Sequence, residues 1–227
     1  MRTLAIGDIH GCSHALDLLL AAIELQPDDL LITLGDYVDR GPDSKGVLER
    51  IIALQSTHRV VPLRGNHEIM MLAARANFVH ALQWMQVGGL EALNSYASPG
   101  TDATLEDVPA EHWKFIAEIC VPYYETETHF FVHANAYADI DLAEQPEYML
   151  YWQRFDRPSP HISGKIMICG HTSQKKGVPL NYGHAICIDT WAYGRGWLTC
   201  LDVTSGQVWQ TNQAGKQRQA HIDDFLK

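Results

Sequence analysis

Five short runs of β-branched or aliphatic residues punctuate the chain: Leu4–Ile6, Leu30–Leu34, Val60–Leu63, Phe130–Val132 and Ile166–Cys169. Runs this short and this continuously apolar predict strands of a sheet covered on both faces. Each is followed at once by a polar motif. In order these are Gly7-Asp8-Ile9-His10-Gly11, Gly35-Asp36-Tyr37-Val38-Asp39-Arg40-Gly41, Arg64-Gly65-Asn66-His67-Glu68, His133-Ala134-Asn135 and Gly170-His171-Thr172. An isolated Asp after a strand is often only a cap or turn residue. Five motifs in the same context, with glycines that let the backbone turn tightly, are not explained by capping.

Between the strands the period changes. Leu16, Leu19, Leu20 and Ile23 recur at helical spacing, with Ser13 as the cap, and Val47, Leu48, Ile51 and Ile52 do the same behind Ser44. Both helices therefore cross over between parallel strands, which makes the class α/β, with the motifs at the C-terminal strand ends where such sheets carry their sites. From Ile69 to Cys120 the strand signal disappears. Ile69–Asn77, Phe78–Gln86 and Glu111–Ile119 read as helices, Gly88-Gly89 as a break and Ser98–Pro109 as a loop. This inserted block either shapes what enters the site or is a plain supporting layer. The last fifty residues return to strands at Ala185–Asp189, Trp197–Asp202 and Gln207–Gln210, with Thr204-Ser205-Gly206 as a turn and a polar, mobile tail.

The 227 residues fit a single domain, 1–227, large enough to bury roughly 70% of its unfolded surface. With 46% hydrophobic and 19% charged residues, the composition is that of an ordinary soluble globule, without a membrane span, leader or anchor. Cys12, Cys120, Cys169, Cys187 and Cys200 show no Cys-x-x-Cys spacing, which points to packing thiols and a reducing, cytoplasmic setting. The formal charge of −10 disfavours nucleic acid as the main partner. It permits an anionic substrate, because bound cations and local arginines reverse the field inside a site.

The motifs together supply two aspartates, an asparagine and three histidines able to hold two adjacent metal ions, with an Asp-His pair and an arginine left for chemistry. That inventory describes a binuclear phosphoesterase. The mixture of oxygen and nitrogen donors suits Mn, Fe or Zn rather than Ca or Mg. No Cys-x5-Arg loop is present, so no phosphocysteine intermediate is needed.

On these motifs, from Asp8 to His171, the chain resembles the calcineurin-like metallophosphoesterases, and within them the bacterial serine/threonine branch of the phosphoprotein phosphatases. The resemblance implies a β-sandwich of mixed sheets flanked by helices, with a helical insertion. It implies that Asp8, His10 and Asp36 hold one metal, and that Asp36, Asn66, His133 and His171 hold the second, with Asp36 bridging. It implies two divalent transition-metal ions, Mn with Fe or Zn as alternatives, and direct attack by a metal-bridging hydroxide. His67 is then the general acid, with Asp39 accepting its other N–H, and Arg40, Arg154 and Asn66 bind phosphate oxygens. Arg154 rests on the segment Tyr151-Trp152-Gln153-Arg154, whereas Arg64 and Glu68 orient their loop. Trp191, after Ile188-Asp189-Thr190, departs from the glycine frequent in the family.

The implied function is a serine/threonine protein phosphatase acting on phosphorylated proteins or peptides, with no nucleic-acid or membrane partner. A symmetrical dinucleoside tetraphosphatase shares the metal core; Asp39 argues against it, because those relatives usually interrupt the Gly-Asp-x-Val-Asp-Arg string there. The third reading is an inactive metal-binding interaction module, although no ligand is missing.

Overall fold

The computed structural model describes all 227 residues. Eleven strands form two sheets: β1 (Thr3–Ile6), β2 (Leu30–Thr33), β3 (Arg59–Pro62), β4 (Tyr123–Glu125), β5 (His129–Val132), β6 (Ile166–Cys169), β7 (Leu180–Asn181), β8 (Ala185–Cys187), β9 (Leu198–Asp202), β10 (Gln207–Thr211) and β11 (Gln217–His221). One sheet runs β11-β10-β9-β1-β2-β3 and the other β4-β5-β6-β8-β7. Within the first, β1, β2 and β3 are parallel and the remaining pairings antiparallel. Within the second, β5, β6 and β8 are parallel. The mixed α/β sandwich implied by the resemblance is what the chain forms.

Alternation along each strand builds the layers. Ala5, Ile32, Phe131, Ile168 and Ile186 face inward and join one core between the sheets. Their neighbours Leu4, Ile6 and Leu31 face outward into a core made with α1 (Ser13–Ile23) and α2 (Ser44–Gln55). On the other sheet, Phe130, Val132, Met167 and Cys187 pack outward against Leu142, Leu150 and Phe155. A strand buried on both faces has no polar alternation, which is why these runs read as continuous.

The inserted block is helical: α3 (Asn66–Ala76), α4 (Phe78–Trp84), α5 (Leu90–Asn94) and α6 (Ala110–Lys114), with a further short helix, α7 (Glu147–Tyr151), after β5. Gly88 lies at φ 119° within a wide turn, Met85–Gly89, that joins α4 to α5. α3 begins three residues before the expected Ile69, so Asn66 and His67 ride on its first turn.

Three local expectations are corrected. Ser13 is the first residue of α1 rather than its cap; Cys12 holds the cap position and no side chain caps that helix. Asp43, not Ser44, caps α2: its Oδ1 accepts the Gly46 N–H at 2.8 Å, while Ser44 Oγ accepts the Asp39 N–H at 3.0 Å. The polar tail is not loose, because Gln217–His221 pairs residue by residue with β10 through backbone bonds that need no apolar pattern. Asp43→Ala is expected to lower stability by about 1 kcal/mol, the usual value of such a cap, measured as a drop in the thermal midpoint.

Candidate functional site

All the predicted motif loops meet at one edge of the sandwich. The parallel strands β1, β2 and β3 deliver three of them, and β5 and β6 deliver the others across the inter-sheet core. Backbone bonds tie neighbouring loops together. His10 N–H donates to the Asp36 carbonyl (2.8 Å), Gly11 N–H to that of Tyr37 (2.8 Å) and Gly170 N–H to that of His133 (2.8 Å). The approach is so close that a Cβ on Gly41 would stand 2.0 Å from the His10 carbonyl oxygen, and one on Gly170 2.0 Å from Asp8 Oδ1. His10, Asp36, Asp39, Arg40, His171 and Trp191 all adopt positive φ, between 46° and 73°. For residues with a Cβ that conformation is strained by about 1 kcal/mol or more each, and here it is concentrated where the side chains converge.

Three histidines are held in one manner. His10 Nδ1 donates to the Val38 carbonyl (2.9 Å), His133 Nδ1 to that of Leu34 (2.7 Å) and His171 Nε2 to that of Trp152 (3.1 Å). In each ring this leaves the second nitrogen as a lone-pair donor aimed inward. His10 Nε2 lies 3.3 Å from Asp36 Oδ2, and His133 Nε2 lies 3.4 Å from Asp36 Oδ1, so the carboxylate turns one oxygen to each side. Asn66 Oδ1 sits 2.9 Å from both His133 Nε2 and His171 Nδ1. The donor atoms of Asp36, His133 and His171 fall within 4.8 Å of one another, as do those of His10, Asp36 and His67. Asp8 stands beside these two groups, its carboxylate accepting the His171 N–H at 2.9 and 3.1 Å.

Electrostatics separates the histidines. Burial pushes His10 well below the ordinary imidazole range and His171 down to about 4, the nearby His133 adding to the latter. Burial acts on Asp36 in the opposite sense, but His133, His67, His10 and His171 around it hold its carboxyl far below the carboxylate range. His67 differs. Against desolvation, the carboxylates of Asp36 and Asp39 raise its pKa and favour the charged ring. Its Nδ1 donates to Asp39 Oδ2 at 2.6 Å, and Trp84 Nε1–H donates to both Asp39 oxygens at 2.9 Å.

Arg40 reaches the same cavity. Its Nη1 lies 2.9 Å from His10 Nε2, its guanidinium lies 4.7 Å from the centre of the Tyr193 ring, and its backbone N–H donates to the Gly88 carbonyl (3.1 Å). Arg154 is exposed and lines a separate recess with Asn135, Tyr137 and Gln153, away from Arg40 and the donor groups. The segment carrying it is fastened to the His171 loop, since Trp152 offers its carbonyl to His171 and Phe155 N–H donates to Thr172 Oγ1 (2.8 Å). Arg64 and Glu68 stand back from the cavity. Arg64 donates to the carbonyls of Ile116, Ala117 and Cys120, and the Glu68 carboxylate gathers the N–H groups of Asp36, Tyr37 and Gly65, each at 2.8 Å.

The family model of the calcineurin-like phosphoesterases matches residues 1–174. The chain belongs to that family. It is 35% identical over 131 residues to serine/threonine-protein phosphatase 1 of Salmonella typhimurium, covering 57% of each chain. It is also 49% identical over 75 residues to a symmetrical bis(5'-nucleosyl)-tetraphosphatase of Acidovorax sp., covering 33% of this chain and 26% of that one. The chain thus spans from about a quarter to somewhat over half the length of these curated relatives. A solved structure of a candidate diadenosine tetraphosphatase superposes with a TM-score of 0.68 at 18% identity, covering 97% of this chain and 93% of that one, a likeness of fold.

Family membership implies divalent metal ions, and the donor set of this chain fits them. Neutral imidazoles whose far nitrogen is fixed on a backbone carbonyl are the form in which histidine binds metal. Burial, then repulsion from Asp189 and Asp36, drives the Asp8 pKa well up, a crowding of carboxyls that a bound cation would relieve.

Three residues at the site were not singled out from the sequence. Asp189 follows β8, the sixth parallel strand end, and is buried with Oδ2 accepting from Ser173 Oγ (2.7 Å) and Oδ1 from the Trp191 N–H (3.0 Å). The strand-then-aspartate pattern of the other loops was its signal. Trp84 and Tyr193 carry none, because each acts through a contact far along the chain.

Proposed function

We propose that this chain is a two-metal phosphomonoesterase whose substrates are phosphoserine and phosphothreonine residues of proteins. The observation that carries this reading is the buried Asp39–His67 pair beside the donor groups, an acid in place with its partner fixed. Two divalent ions, Mn with Fe or Zn as alternatives, held by Asp8, His10, Asp36, Asn66, His133 and His171, would supply Lewis acidity toward phosphoryl oxygens and an activated water for in-line attack. The protein does the rest. Asp36, with one oxygen toward His10 and the other toward His133, would be shared between the two ions. His67, charged and held through Nδ1 by Asp39, gives the Nε2 proton to the departing oxygen. Arg40 meets the phosphate oxygens with a planar fork, and Arg154 would have to swing from its neighbouring recess to join it. The five cysteines, all free and buried, support a reducing, cytoplasmic setting. No helix is long and apolar enough to cross a membrane.

A symmetrical dinucleoside tetraphosphatase is the second reading, favoured by the 49% identity to the Acidovorax enzyme over 75 residues. Leaving-group chemistry argues for the first. A serine alkoxide departs only if protonated, whereas a nucleoside diphosphate is already a stable anion and has little use for the buried acid pair. Parallel assays on a phosphoserine peptide and on diadenosine tetraphosphate, with added Mn and with chelator, separate the two; faster turnover of the dinucleotide would favour the second.

Arg40→Ala is expected to raise KM and lower kcat together, because the charge on the phosphate oxygens exists before and during attack. Arg154→Ala should act in the same direction and more mildly. Inorganic phosphate should inhibit both variants less well than the parent; an unaltered phosphate inhibition constant in Arg154→Ala would return that residue to the plain surface.

A further inference from the structure

Beside Arg40 and Tyr193, both of which contact His10, lies an open recess of about 470 Å3, within the size range of ligand sites. Arg40 and Tyr193 line it together with Met85, Val87, Leu90 and Glu91 of the helical block. Val87 is 40% and Leu90 51% exposed, so apolar surface faces water right next to the proposed phosphate clamp.

We propose that this recess is a specificity pocket for an apolar side chain adjoining the phosphorylated residue of a polypeptide. The proposal deepens the protein-phosphatase reading and rests on it. Two observations choose the occupant. Arg40 belongs both to the recess and to the phosphate clamp, so a group in the recess is a direct neighbour of the phosphate along the substrate chain. The charge is wrong for a polyphosphate: Arg40 is the one cation lining the recess, and Glu91 opposes any further anionic group. An uncharged side chain gains by covering Val87 and Leu90, and an acidic one loses twice, to the apolar wall and to Glu91.

The test uses phosphoserine peptides that differ only in carrying leucine or aspartate beside the phosphorylated residue, with kcat/KM measured for each and for diadenosine tetraphosphate. The leucine peptide is expected to be preferred by about tenfold, the scale of partly burying one such side chain. Leu90→Asp and, independently, Val87→Asp should erase most of that preference. Glu91→Lys should shift the ratio several-fold toward the aspartate peptide, a swap that a merely structural role would not produce. Equal turnover of the two peptides by the parent, or an unchanged ratio in all three variants, overturns the pocket while leaving the protein-phosphatase reading intact. Turnover of the dinucleotide with neither peptide hydrolysed overturns that reading and the pocket with it.

Discussion

Asp36→Asn is expected to lose both metal ions and to cut phosphatase activity by about 10³-fold or more, the scale seen when a charge-stabilising group leaves a preorganised site. Asparagine keeps the shape of the side chain and one acceptor oxygen for the His67 N–H, which Asp36 Oδ1 accepts at 3.1 Å, so the fold is preserved. What disappears is the negative charge facing His10 on one side and His133 on the other. His171→Ala removes a donor from one group only and should mainly weaken one ion. Elemental analysis distinguishes them: two metals per chain in Asp36→Asn, with near-normal turnover, would rule out the shared carboxylate.

His67→Asn is the second large effect. The metals should stay, because the imidazole-carbonyl anchors of His10, His133 and His171 are untouched. Turnover of a phosphoserine peptide should fall by roughly 10²–10⁴-fold, the range for losing a general acid. An aryl phosphate, whose leaving oxygen is already a weak base, should lose much less, and Asp39→Asn should show the same substrate dependence more mildly. If both substrates lost activity equally, protonation of the leaving group would not be the role of His67.

The site was legible in the sequence to the extent that its parts are local. Asp8 with His10, and Asp36 with Asp39 and Arg40, are each carried on one loop behind one apolar strand, so residue type and period place them. The sandwich came through the resemblance, since no pattern in Leu30–Thr33 says which strands it will pair with. Contacts that join distant segments were not legible. Trp84 is 45 residues from Asp39, and the backbone of His171 is 163 residues from the Asp8 carboxylate it binds. Asp43 and Ser44 are adjacent and both able to cap, so only the competing demand of the Asp39 N–H decides between them. Gln217–His221 has no apolar alternation and pairs through its backbone alone, which is why it read as a tail.

The hold that Trp84 and Gly88 keep on Asp39 and Arg40 limits how this protein can be re-engineered. Specificity blocks are ordinarily treated as detachable, to be exchanged between scaffolds while the catalytic loops stay put. Here the helical block is a structural member of the neighbouring loops: Gly89 leaves the space in which the Trp84 ring lies, since a Cβ there would meet the indole at 2.4 Å, and the indole in turn holds the Asp39 carboxylate that accepts from His67. A transplant that altered Trp84, Gly88 or Gly89 would therefore loosen the seating of Asp39 and Arg40. Variation is free where the block faces outward, at Phe78, Val79 and Leu82, and constrained at the turn that faces in.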